Sequence, residues 1–559
     1  MLKSRKSRIV ALTLSTLLVG SLLSGCGSTA GKNSNQVITY NLGANPKTID
    51  PGLNTSVEGG IVIANAFEGL TEVDAKNQPH PGIAKSWDIT DGGKHYVFHL
   101  RKNAKWSDGK PVTAHDFEYG WKRALAPDTA SEYAYQLYYL KNAQGYNEST
   151  LPADKKTPGV ASATADQVGV KATDDYTLDV ELENPTPYFL SLMAFQTYMP
   201  ERKDIVSKDP SGWALKPSSY VSDGAFKLQT WKQNSKLEFV KNDYYWNKSS
   251  VKLDKLNYTV LNDATSYMSA FQSGQVDIID SPPAEQTPNL LKQGKAKTYV
   301  NIGNYYYGFN LDPKAKLDPV VAKAMNNADF RKAVNLAIDR EALVKNVVKG
   351  GEVPATSFVP TGMLGPDGKQ FKGKKYFPAK GDVAQAKQLL AKAGYPDGKG
   401  LPTIELMYNS DGNNPDIAQA IQQMLKTNLN INVNLRAVER KIQLDETTKH
   451  TYAGISRNGW SADYADPMTF IDMWVTNGGN NTTGYSNPAY DKLVKEAKSE
   501  ADPAKRFDEM HQAEDILMND MPIIPLYEYN VVCCMKSYVK GTYRTPMDVL
   551  YFTKAYVEK

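Results

Sequence analysis

A mixed α/β fold with several sheets, divided among more than one domain, is what the sequence predicts, on three observations. Segments of helical and of strand periodicity alternate along the chain. No repeat of about 20–50 residues recurs, which excludes solenoids and propellers. The 559 residues exceed a usual domain of about 150 severalfold, yet the turn-rich stretches at 147–164, 360–375 and 395–402 are each too short to be a clean interdomain linker. Domains braided by several crossings of the chain are therefore expected.

The elements follow in order. Strand-like alternation occurs at Tyr96–Leu100. Over Thr113–Leu125, Phe117, Trp121, Ala124 and Leu125 share one helical face, and Thr113 with Asp116 three residues on starts a capping box. A strand is expected at Thr177–Leu182. A helix over Asp382–Ala393 is stopped by Gly394 and Pro396. Ile417, Ile421, Met424 and Leu425 mark another helix, followed by a strand in which Ile431, Val433 and Leu435 alternate with polar residues, and a last strand is expected at Ile523–Tyr529.

Composition removes several function classes. Hydrophobic residues make up 41% and charged ones 23%, ordinary globular values that exclude a disordered or fibrous chain. Lys3, Arg5, Lys6 and Arg8, with no acid in the first 25 residues, account for the whole net charge of +4. The neutral remainder lacks the basic face that nucleic-acid binding requires. Three cysteines exclude a disulfide scaffold.

After the basic start, Ile9–Leu23 is an apolar run of 15 residues, too short to span a membrane and suited to a secretory signal. It ends in Leu23-Ser-Gly-Cys26, which resembles the lipobox of bacterial lipoproteins. That resemblance implies cleavage after residue 25, two acyl chains at Cys26, and anchoring on the outer face of a single-membrane bacterium; two chains on one residue make a stable tether where one would not. Residues 26–35 then read as the lipidated cysteine and a flexible tether. Cys533 and Cys534 are adjacent in a strand-like stretch: a strained ring disulfide or two buried free thiols.

Enzyme motifs are missing. No phosphate loop, GxGxxG, HExxH or GxSxG occurs. Ser107 and Lys110 match an SxxK, but within a turn-rich WSDGKP segment and with no KTG after it. His95 and His99 would share a helix face, but the run reads as strand, so polar strand residues rather than a metal pair are expected. Neither a catalytic constellation nor a metal or cofactor site is predicted. What does stand out is 33 tyrosines and eight tryptophans, apolar area with a polar handle that suits either a ligand-lining surface or a core.

The most informative stretch is Gly454–Trp474. If Arg457–Asp463 is extended, Arg457, Gly459, Ser461 and Asp463 share one face, with the cation and the acid about 20 Å apart on a straight strand. Small residues there let another backbone approach, and a carboxylate at the strand end suits addition of an extended peptide. Surface charges flanking a turn at Asp466-Pro467 are the other reading of the same residues.

This RNGWSADYADPMTF string resembles the signature of the oligopeptide-binding proteins of ABC importers, an extracytoplasmic solute-binding family. Thr48-Ile-Asp-Pro51, Phe67-Glu-Gly-Leu70, residues 103–117, 330–340 and 393–402 resemble further landmarks of that family in the same order. The resemblance implies a periplasmic-binding-protein-like two-lobed clamshell with an additional third domain: residues 36–68, 202–304 and 531–559 as domain I, 69–201 as domain II, and 305–530 as domain III, with connecting strands near Asn304 and Asn530. It implies that Asp463 receives the peptide α-ammonium, with Arg457 orienting and partly neutralising that carboxylate before ligand arrives. Backbone atoms of Gly459 and Ser461 on one side, and of Ser56 and Val57 on the other, would run strand-like along the ligand. Trp460, Tyr133 and Tyr529 would line side-chain pockets. Asn414 stands where enteric relatives carry a histidine for the peptide C-terminus, and Lys449 lies near the place of an arginine.

The function expected is therefore a lipid-anchored, monomeric receptor that binds short peptides and passes them to membrane permease and ATPase subunits, with no catalytic activity. A same-fold receptor for nickel, haem or an oligosaccharide is the nearest rival. A secreted hydrolase and a surface adhesin or foldase are more distant ones.

Overall fold

The computed structural model describes residues 35–559 apart from 158, 366, 367, 372 and 501. The expectations for the signal segment and Cys26 lie outside the described residues.

The predicted elements form. The capping box at Thr113 starts the helix Ala114–Leu125, in which Asp116 accepts the Thr113 backbone N–H at 2.8 Å. Trp121 is buried and donates from Nε1 to the Tyr198 carbonyl at 2.8 Å. This helix packs on a four-stranded antiparallel sheet ordered 84–90, 95–100, 177–181, 170–174. His95 and His99 lie on that sheet's outer face, paired with Asp179 at 2.9 Å and Asp88 at 2.8 Å, as strand polar residues rather than metal ligands. Lys110 pairs with Asp204 at 3.1 Å instead of serving Ser107.

A second, eleven-stranded mixed sheet organises the rest. Its order is 433–438, 404–409, 454–461, 297–309, 523–535, 278–280, 37–41, 255–259, 236–241, 226–232, with 353–354 alongside 523–535. Strands Lys297–Phe309 and Ile523–Met535, 13 residues each, run from one half of this sheet into the other. Their pairing shifts register between Val300 and Asn304, so that Asn301, Ile302 and Gly303 bulge out opposite Tyr529. Such a bulge bends a strand and disrupts its ladder locally. Only a glycine fits at 303, since a Cβ would lie 2.5 Å from the Trp460 carbonyl oxygen.

Many of the tyrosines belong to the core. Tyr305, Tyr306 and Tyr307 are consecutive and all buried, because the central strand has both faces covered. Cys533 and Cys534 are buried free thiols. Successive strand residues point to opposite faces, and the two thiols pack into different apolar clusters, which excludes the ring disulfide.

Within the described residues the two halves touch across a cleft. Lys47 pairs with Asp445 at 3.0 Å and with Glu132 at 3.3 Å. The ring of Tyr188 stacks on that of Tyr464 at 4.8 Å, and the Tyr139 and Tyr464 hydroxyls are 3.1 Å apart.

Candidate functional site

The strand Gly454–Ser461 is paired on both sides only as far as Ser456. Its parallel neighbour, 404–409, ends the pairing at Met407–Ser456, while the antiparallel neighbour, 297–309, continues to Gly303–Ser461. From Arg457 onward one edge is open. The Arg457 carbonyl points to that edge, since it accepts from Gln443 Nε2 at 2.7 Å. The Ala462 N–H points the other way, to the Ile302 carbonyl at 2.8 Å. Alternation therefore turns the backbone N–H and C=O of Gly459 and Ser461 to the free edge.

Asp463 stands just past the end of this strand. Its Oδ2 accepts from Gln136 Nε2 at 2.8 Å and its Oδ1 from the Tyr133 hydroxyl at 3.3 Å. Its backbone N–H donates to Thr469 Oγ1 at 3.0 Å. Burial, and then the nearby Asp472 carboxylate, push Asp463 well above the usual carboxylate range. The Tyr133 ring stacks with Trp460 at 6.2 Å and meets Phe195 edge-on at 5.2 Å. Asp466, the competing acid, is held at 2.7 and 2.8 Å by Arg506 in a buried bidentate pair, so it is spent.

Two expectations need correction. Arg457 does not neutralise Asp463. It lies at the far end of the open edge, its guanidinium 4.6 Å above the Tyr305 ring and 3.3 Å from the Tyr529 hydroxyl. Six residues of extended chain hold the two charges apart, and no bend brings them together. Ser56 and Val57 do not form a strand. Ser56 caps the helix Val57–Ala66, accepting from Gly59 N–H at 3.1 Å, and its own backbone is occupied by Asn54 and Gly60. The first helical N–H groups, at Val57, have no partner inside the helix. Asn414 lies buried at the start of helix Asn414–Leu429, where its Oδ1 accepts the Tyr305 hydroxyl at 2.9 Å.

Lys449 is exposed at the C-terminal end of helix Arg440–Thr448. Tyr529 packs against the open face of Gly459, where a Cβ would come within 2.0 Å of its hydroxyl oxygen.

Sequence reasoning missed four residues here. Gln136 bonds Asp463. Arg440 donates to Gln443 Oε1 at 2.6 Å, its one hydrogen-bond partner among the described residues, and burial pulls it below the ordinary arginine value. Glu58 and Asp411 are the carboxylates that act on Arg440, beside Arg457. Arg457 Nε and Glu58 Oε2 are buried without a hydrogen bond. Helical spacing could have paired Arg440 with Gln443; nothing local could have paired it with Glu58.

Among the described residues no group of three or more His, Cys, Asp or Glu side chains is arranged to hold a metal.

Comparison with known proteins agrees with this geometry. The family described as bacterial extracellular solute-binding proteins, family 5 Middle, matches residues 78–482. The chain is 37% identical to the oligopeptide-binding protein OppA of Bacillus subtilis, over 99% of this chain and 100% of that one. Among solved structures it resembles Listeria monocytogenes OppA bound to peptide, with TM-score 0.86 and 31% identity, over 94% of this chain and 100% of that one. The murein tripeptide binding protein MppA of Escherichia coli matches at TM-score 0.84 and 32% identity, over 94% of this chain and 99% of that one. Against the unliganded open form of MppA the TM-score is 0.60, over 94% of this chain and 98% of that one. The halves of this chain are thus arranged as in the former MppA structure and not as in its open form. With a two-lobed α/β body and a match that spans well over half its length, this chain belongs to family 5 of the bacterial extracellular solute-binding proteins.

Proposed function

We propose that this chain captures short peptides outside the cytoplasmic membrane and hands them to the permease and ATPase subunits of an ABC importer. The observation that carries the reading is the open strand edge Arg457–Ser461 leading to Asp463. An extended peptide adds to such an edge through main-chain bonds, each contributing about 0.5–1.5 kcal/mol net. These bonds address every residue alike, so they hold peptides without reading their sequence.

Asp463 fixes the register by taking the α-ammonium, with Gln136 and Tyr133 holding its two oxygens in place. At the other end, Arg457 and Arg440 present two guanidinium groups with no carboxylate bonded to them among the described residues, and this pair meets the peptide carboxylate. Trp460, Tyr133 and Tyr529 line the spaces for side chains, and Val57 N–H offers a donor from the opposite wall. Nickel, haem and oligosaccharides carry no ammonium group for Asp463, and OppA relatives favour peptide.

The partition into 36–68, 202–304 and 531–559, then 69–201, then 305–530, is supported by the register break near Asn304 and Asn530. Anchoring through Cys26, on the outer face of the membrane, and a monomeric state belong to the same reading, as does the absence of catalysis.

Calorimetry on residues 27–559, unfolded and refolded to remove carried-over ligand, tests it with a tetrapeptide and its N-acetylated twin. The first binds; the second loses roughly 3 kcal/mol, over about a hundredfold, because its missing charge leaves Asp463 unpaired. Equal binding by both refutes the role of Asp463, and binding by neither refutes a peptide ligand of this length.

A further inference from the structure

Carboxylates as well as guanidinium groups meet where the open edge begins. Strand 404–409 stops pairing with 454–461 at Met407–Ser456, and Asp411 follows two residues after its end. Arg440 opens the helix Arg440–Thr448, and Arg457 is the first residue past that last pair. Glu58, in the first turn of the helix Val57–Ala66, comes from the wall that carries the Val57 N–H. Among the charged groups that act on Arg440, Glu58 is the strongest, ahead of Arg457 and Asp411. Yet no ion pair joins any two of the four among the described residues. Arg440 is bonded to Gln443 and Arg457 to the Tyr529 hydroxyl, while Asp411 accepts from Asn409 Nδ2 at 2.7 Å. Glu58 Oε2 is buried with no donor among the described residues.

The halves do not stand as in an open receptor, so these charges are placed as a bound peptide meets them. Two guanidinium groups and two carboxylates cancel. A peptide carboxylate docked on the arginines adds a fifth charge, negative and without a counterpart. The surroundings hold no spare cation for it. Asp548, another carboxylate on which Glu58 acts, is bonded to Arg544, and Arg544 is shared with Asp280 at 2.6 Å. Tyr305 and Tyr529, which cover Arg457, bring only rings and hydroxyls. A charge withdrawn from water is costly unless it is paired, and like charges brought together cost more. The ligand that restores the balance carries its own cation beside its carboxylate.

We propose that Glu58 selects peptides whose last residue is lysine or arginine, its Oε2 accepting from the side-chain cation while Arg457 and Arg440 hold the carboxylate of the same residue. The inference rests on the peptide reading above and adds a side-chain preference to it. Side chain and carboxylate leave the same Cα, which keeps the cation beside the arginine pair whatever the rest of the peptide does. The main-chain bonds of the strand edge are indifferent to side chains; this end reads charge. An acidic last residue adds one more negative charge and is rejected, so the preference comes from repulsion as well as attraction.

The test is calorimetry of the full chain, refolded from denaturant to remove carried-over ligand, at about pH 7, where lysine and carboxylates are charged. Three tetrapeptides are compared, Ala-Ala-Ala followed by lysine, by norleucine, which keeps the length without the charge, or by glutamate. The lysine peptide should bind about tenfold more tightly than the norleucine peptide, and the glutamate peptide more weakly than both. In Glu58→Gln the lysine and norleucine affinities should converge. The norleucine peptide should bind that variant severalfold more tightly than wild type, because Arg440 loses the carboxylate that competes for it; a damaged fold would not produce a gain. Equal binding of lysine and norleucine peptides by wild type overturns the inference, as does a lysine preference that persists in Glu58→Gln. Equal weakening of both peptides in the variant also overturns it, since Glu58 then only supports the wall. Each of these results leaves the peptide reading standing, whereas failure of all three peptides to bind wild type overturns that reading itself.

Discussion

Glu68 should make the stability of this protein fall as pH rises through neutrality. Its carboxylate is 7% exposed and accepts from the Trp246 Nε1–H at 2.7 Å and from the Tyr245 hydroxyl. No cation is paired with it; burial is the main cause, with Glu72 adding to it, that raises it from 4.5 to about 7. Because the folded state then binds more protons than the unfolded state between those values, stability is fully present below about 4.5, declines as pH rises, and levels off above about 7. That difference is worth roughly 3 kcal/mol for a buried group, most of it lost between about pH 5 and 8. The perturbation is Glu68→Gln, which keeps the shape and one acceptor but cannot ionise. Its amide faces one of the two donors, at a pH-independent cost of about 1–3 kcal/mol. Urea unfolding of wild type and variant across this pH range should therefore show the wild-type advantage shrinking by about 3 kcal/mol as pH rises, so that the profiles meet or cross. Asp223, which burial and then the Glu68 charge raise, loses that second push in the variant, and carboxylates with no coupling to Glu68 contribute equally to both profiles and cancel in the difference. Parallel profiles would show that Glu68 ionises like an exposed glutamate and that burial without a cation does not govern it.

Further outcomes follow from named contacts. Arg123 is buried between Asp50, at 2.8 and 2.9 Å, and Glu201, at 2.8 and 2.9 Å; Arg123→Met leaves both acids without their cation and should lower stability by about 3–5 kcal/mol in thermal or urea melts. Gly459→Ala puts a methyl group where the Tyr529 hydroxyl now sits, so peptide affinity in calorimetry should fall more than about tenfold while the far-ultraviolet spectrum is unchanged. Tyr464→Leu removes the 4.8 Å stack on Tyr188 across the cleft; losing about 0.5–1.5 kcal/mol of ring contact should speed peptide release severalfold in stopped-flow fluorescence. Arg440→Gln should reduce the preference for a free peptide carboxylate over its amide, measured as the ratio of the two dissociation constants.

What could be read from the sequence was what depends on neighbours within a few positions. The capping box at Thr113, the helix stop at Gly394 and the alternation of Arg457, Gly459 and Ser461 are all local, and all are present in the structure. The family signature carried the fold and pointed to Asp463. The errors arose where a partner lies far along the chain or where a local conformation competes. Ser56 precedes Val57-Glu-Gly-Gly, and its hydroxyl starts a helix there. Arg457 found Tyr305 and Tyr529 instead of an acid on its own strand. Gln136 reaches Asp463 across 327 positions, and no periodicity encodes that.

The large sheet also dictates when the molecule can be finished. Strand Val37–Asn41, the first element, lies between 255–259 and 278–280, and the latter is paired with the far end of 523–535. Gln36 is hydrogen-bonded to Val557 across 521 positions. Strand Val37–Asn41 thus has both neighbours once residue 280 is made, but its sheet waits for nearly the last residues to gain 523–535 and the tie to Val557. Pairings of such sequence separation are slow to form, and a ribosome delivers only about 5–20 residues per second. Strands 226–232, 236–241, 255–259 and 37–41 can pair once they are made, but 278–280 keeps an open edge until 523–535 arrives, and a chain that has lost its last few dozen residues never closes it. In the other half, 404–409, 433–438 and 454–461 pair among themselves, but 297–309 also awaits 523–535, so a chain that stops before residue 523 should leave both halves without their shared central strand.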